Sequence, residues 1–134
     1  MKIKTSELIG EPLNYAVAII EYGSKKVYIN PDIRRKGIWV IPQKNGGKNH
    51  FHPSKSWAQG GAIIEREQIC IWPEAHDGAI GTERSTRWLA TIYYNGGEQY
   101  TLESPAPAAL IAAMRCYVAS KLGEEVDIPE ELLR

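Results

Sequence analysis

Apolar side chains recur along this chain with two periods, one near 3.6 and one near 2, and the changes of period outline its elements. Thr5–Leu8 reads as a single turn. Leu13, Ala16, Val17 and Ile20 then fall at helical spacing. Pro12 suits the first turn of that helix, and Gly23 suits its end. Residues 25–30 alternate as a strand, Pro31 stops it, and Ile38–Pro42 reads as a second strand. Gln43–His52 is polar, contains Gly46-Gly47, and predicts a loop. Pro53-Ser54 signals a helix over 54–67, with Trp57, Ala58, Gly61, Ala62 and Ile64 on one face. Gly60-Gly61 costs such a helix about 2 kcal/mol in propensity. The pair therefore implies close approach by a neighbouring element or by a ligand. Ile69–Trp72 is a short strand ended by Pro73, and Glu74–Ser85 a loop. Arg87–Tyr94 alternates, with Trp88, Ala90, Ile92 and Tyr94 on one face. Asn95-Gly96-Gly97 signals a hairpin turn into Gln99–Glu103. Glu124–Ile128 reads as extended, and Pro129–Leu133 as a closing turn.

The strongest pattern is a helix over residues 105–122. Ser104 is a good N-cap, Pro105 suits the first helical position, and Gly123 can end the helix. Leu110, Ile111, Met114, Tyr117, Val118 and Lys121 share one face. The other face carries Ala108, Ala109, Ala112, Ala113, Cys116, Ala119 and Ser120, all small. A helix without a polar side is covered on both sides. The cover can be the rest of the fold, or a second copy across a dimer. Arg115 is the lone charge between Ser104 and Lys121. It reads first as a snorkelling or paired structural arginine and second as a ligand contact. The order of elements predicts an α+β fold, a small antiparallel sheet with helices packed on both faces in the manner of an α/β/α sandwich.

Length adds that the 134 residues form one domain with a real core. No apolar run approaches the ~20 residues of a membrane span. No secretory signal is legible, so Cys70 and Cys116 read as buried free thiols in a reducing cytoplasm. Net charge is zero but uneven. Residues 1–60 hold ten basic and four acidic side chains, and residues 61–134 hold six and twelve. That split either marks a basic surface for an anion or is neutralised when the halves pack.

Four stretches together resemble the NinX family of lambdoid phages. They are residues 1–8 (Met-Lys-Ile-Lys-Thr-Ser-Glu-Leu), Leu13–Ala18, Pro53–Glu67 and Leu110–Leu133, the last with the uncommon string Ala-Ala-Met-Arg-Cys-Tyr-Val-Ala-Ser-Lys. The resemblance implies a phage or prophage accessory protein of the bacterial cytoplasm, without an assigned biochemical role. The chain is also distantly similar to small phage α/β/α-sandwich domains that begin a helix with Ser-Thr-Asp. Here Ser54-Lys55-Ser56-Trp57 stands in that place, so no aspartate role passes to Ser56.

Candidate chemistry is sparse. Neither cysteine has an activating context and no nucleophile elbow is present, so no catalytic residue is assigned. His50-Phe51-His52, with His76-Asp77, is a thin basis for a metal site, and neither a metal nor another cofactor is expected. Gly46-Gly47-Lys48 could meet a phosphate but matches no phosphate-binding fingerprint. Trp39, Trp57, Trp72 and Trp88 are many for this length. Most are expected in the core, with one or two stacking a base or another flat ring. The expected ligand site is Ser54, Trp57, Gln59, Gly60, Gly61 and Arg115. The expected function is non-enzymatic binding of a host-derived, nucleotide-like small molecule, an anti-defence sponge. A homodimer or an inhibitor docked on a host protein is the alternative. Nucleic-acid binding through Lys2, Lys4, Lys25, Lys26, Arg34, Arg35 and Lys36 ranks third.

Overall fold

The computed structural model describes residues 1–32, 36–42, 46–74, 87–93 and 99–133, with backbone alone over 99–104. Three helices, α1 (Gly10–Tyr22), α2 (Trp57–Glu67) and α3 (Ala109–Leu122), are joined by short antiparallel strands. The strands are β1 (Lys2–Lys4), β2 (Val27–Asn30), β3 (Gly37–Val40), β4 (Asn49–His50), β5 (Ile69–Pro73), β6 (Trp88–Tyr93), β7 (Gln99–Ala106) and β8 (Glu125–Asp127). They form three small sheets, β1-β8, β2-β3-β4 and β5-β6-β7, where the sequence suggested one. The α+β class is as expected.

The middle of the molecule is α3. One side of it packs on β5-β6-β7 and the other meets α1 and α2, while α1 also covers β2-β3. Residues 112–119 are accordingly all buried, the small ones included. A helix that gives water no face must bring its own close-packing surface, and the alanines supply it. The expected helix covered on both sides is present, but it starts later. Ser104 and Pro105 lie in β7, and Ala108 is the N-cap, with no side-chain capping bond. Pairing with β6 holds this segment extended, and Pro107 then separates strand from helix. At the other end Gly123 caps α3 as expected, its N–H donating to Ala119 O at 2.9 Å.

Arg115 is buried, at 6% exposure, and does not snorkel to water. Its Nε donates to the Leu8 carbonyl at 2.6 Å, tying α3 to the turn before α1. Desolvation lowers its pKa, and Glu7 opposes that shift. Thr5 closes the same corner, its hydroxyl donating to Gly123 O at 2.7 Å.

Other details depart from the sequence reading. Residues 49–50 form a strand, and Phe51 is buried against Tyr22, so the predicted loop ends sooner. The second helix begins at Trp57, not 54, because Ser56 is its N-cap and accepts from Gln59 N–H at 3.3 Å. Its buried side is Gly60 and Ile63, whereas Trp57, Ala58 and Ala62 face solvent. None of the four tryptophans is fully buried. Lys121 is exposed. Cys70 is exposed too, since β5 alternates and turns it outward, while Cys116 is buried as expected. The predicted turn at Asn95–Gly97, Arg34 and Arg35, and His76-Asp77 lie outside the described residues.

Candidate functional site

Most of the residues expected to form a ligand site are occupied by the fold. Ser54 is buried, and its N–H donates to Asn14 Oδ1 at 3.1 Å. The Gln59 amide works like a strand partner. Its Oε1 accepts from His52 N–H at 2.7 Å, and its Nε2 donates to His50 O at 2.8 Å. A Cβ on Gly60 would collide with the Pro53 carbonyl oxygen and stand 2.7 Å from Leu110 Cδ2. That glycine is the close approach of α2 to α3 anticipated from the sequence. A Cβ on Gly61 would meet only the Trp57 ring, at 3.9 Å. At 100° per residue, Trp57 and Gly61 lie on the opposite side of α2 from Gln59. Arg115 is buried, with its Nε held by the Leu8 carbonyl. The six residues therefore do not converge.

A cleft of about 250 Å³ does open between α1, α2 and β4, lined by Glu21, Tyr22, His50, Gln59, Ile63 and Arg66 among others. Its charges already satisfy one another. Arg66 forks onto Glu21 at 2.8 and 2.9 Å, its Nε donates to Glu67 at 3.1 Å, and Nη2 also reaches Tyr117 Oη at 3.1 Å. Hydrogen bonding to Glu21 raises the Arg66 pKa, against a smaller loss from burial. Burial first, and Glu21 second, raise that of Tyr117. A guanidinium so engaged has little left for an incoming phosphate. The cleft is also at the small end for a ligand site.

The three-stranded sheet β2-β3-β4 is organised differently. Its inner face, Ile38 and Val40, is buried where α1 covers the sheet. Its outer face follows from the register, because directly paired residues share a face. Tyr28 pairs with Trp39, and Trp39 with His50, so three rings cross the sheet in one row. Trp39 and His50 are stacked, with centroids 5.1 Å apart and planes at 25°. His52 extends the row, 4.4 Å from His50. Tyr28 is 37% exposed, and Lys48 Nζ sits 4.2 Å from its ring centroid. The row needs Gly37: its φ of +138° disfavours other residues, and a Cβ there would stand 2.6 Å from His50 Nε2.

Three buried side-chain atoms here, Glu11 Oε2, His50 Nε2 and His52 Nδ1, have no hydrogen-bond partner among the described residues. Desolvation lowers the His52 pKa, His50 adds to this, and Glu11 opposes it. Among the described residues, no group of three or more His, Cys, Asp or Glu stands at spacing that could hold a metal. Sequence reasoning passed over Tyr28 and His50 as ring partners of Trp39. They are far apart in the chain, and only the strand register joins them. Alternation in 25–30 and 38–42 was the available signal, but β4 was read as loop.

Among the described residues no helix is long and apolar enough to cross a membrane. No curated protein matches the chain. The family described as bacteriophage P22, NinX matches residues 4–121, which is most of the chain, and the chain belongs to that family of phage proteins.

Proposed function

We propose that this phage accessory protein acts by binding rather than by catalysis, and that its ligand is nucleotide-like. The ring row Tyr28–Trp39–His50 with Lys48 beside it carries this reading. Flat π-faces suit a base, and an ammonium next to them suits its phosphate. Stacking of one base on an aromatic ring is worth roughly 1–3 kcal/mol. The reading retains the flat-ring ligand expected from the sequence and moves it from Trp57 to Trp39. Tryptophan fluorescence titrated with nucleotides and short oligonucleotides tests it. A saturable change that Tyr28→Ala weakens is expected. Folded protein with no response to any base-bearing ligand would end the proposal.

A second reading is docking on a host protein through the solvent side of α2. Trp57 is 59% exposed beside exposed Ala58, and tryptophan is enriched at binding hot spots. Loss of a recovered host partner on Trp57→Ala, with nucleotide binding unchanged, would favour it.

A further inference from the structure

We propose that the outer face of β2-β3-β4 is a track for single-stranded nucleic acid. This rests on the nucleotide-binding reading of the same face and names its ligand class. Val27 pairs with Val40, and Val40 with Asn49, so these three residues mark one end of the sheet. Lys26 O accepts from Ile41 N–H at 3.0 Å, which extends the pairing beyond that end. Lys25, Lys26 and Lys48 therefore gather there, all exposed. The acidic groups near the sheet, Asp32 after β2 and Glu11 beside Gly37, are at the opposite end, where exposed Lys36 stands with them.

Lys25 and Lys26 precede β2; Lys48 precedes β4 but reaches back across the sheet, its Nζ 4.2 Å from the Tyr28 ring on β2. The ring row crosses the strands and spans two strand spacings, roughly 10 Å. One base cannot cover that width, but successive bases of one strand can. A polyanion crossing the sheet would lay its bases toward the rings and its phosphates along the lysine end. Stacking accepts any base, so little sequence preference follows. A duplex hides its base faces, and this flat face has no helix or ribbon to enter a groove.

The test is fluorescence anisotropy with labelled 12-mers of single-stranded DNA and RNA, the matching duplex, and a mononucleotide competitor. Single strands are expected to bind at least tenfold tighter than the duplex and far tighter than the mononucleotide. Engagement of three lysines predicts a log–log salt slope near about −2. Lys25→Glu with Lys26→Glu, and separately Tyr28→Ala, should each weaken binding about tenfold while circular dichroism shows the fold retained. The DNA and RNA arms show which strand is preferred. Mononucleotide binding as tight as the 12-mer would overturn the track and leave the nucleotide reading standing. No binding of either would overturn both. Equal binding of duplex and single strand, untouched by these variants, would overturn the track as well.

Discussion

The central helix α3 and the β2-β3-β4 sheet are opposites in how they use side chains. In α3, residues 112–119 are buried without a break, and the one charge among them, Arg115, donates its Nε–H to the Leu8 carbonyl. The sheet buries Ile38 and Val40 on its inner face and leaves Tyr28 and Lys48 exposed on the other. The helix holds the fold together. The sheet contributes less to packing, and its outward groups carry the proposed binding. Packing and the proposed binding are thus divided between elements, with α1 packed against both.

That division can be broken from the helix side first. Met114 is fully buried in α3, so Met114→Ala should cost about 2–5 kcal/mol, read from denaturant unfolding. An effect under about 1 kcal/mol would mean that α3 is not the packed centre. The junction of α2 and α3 comes next. Gly60→Ala forces a methyl into the Pro53 carbonyl and Leu110, and overpacking of this kind costs about 1–3 kcal/mol. Gly61→Ala next door has room and should stabilise by up to about 1 kcal/mol through helix propensity. Equal effects at the two glycines would contradict the packing described here.

Smaller effects sharpen the sheet side. Tyr28→Ala should cost only about 0.5–1 kcal/mol, because its ring is 37% exposed and loses mainly the Lys48 ammonium, while ligand affinity falls by more. His52 supplies a pH signature. Its folded pKa lies below the ordinary value of 6.5, so the unfolded chain takes up the proton first as pH falls. Its contribution to stability is complete above about 6.5 and declines on acidification through and below that value. Melting temperature followed from pH 7.5 to 5 should fall, and His52→Gln should flatten that fall. A variant with the wild-type pH profile would remove His52 from the account.

Much of the fold was legible and little of the candidate site was. Helical periodicity, Pro12, Gly23 and Gly123 located α1 and the end of α3, because these signals act within a turn or two. The start of α3 was misplaced for the opposite reason. Ser104-Pro105 is a good local helix start, and tertiary pairing of β7 with β6 overrides it. Gly60 was correctly read as a close approach, since a glycine pair inside a helix needs a reason. Gln59 was read as a ligand contact, yet its amide is committed to the backbone of His50 and His52. The ring row could not be seen in advance. Tyr28, Trp39 and His50 come from three strands, and a shift of one residue in register would send them to different faces.

Mapping of amide and indole N–H shifts by nuclear magnetic resonance, with a short single strand titrated into the labelled protein, tests the division most directly. The Trp39 indole and the Tyr28, Lys48 and His50 amides are expected to shift, with residues 112–119 unmoved. Shifts confined to Trp57 and α2, or to the cleft around Arg66, would contradict it.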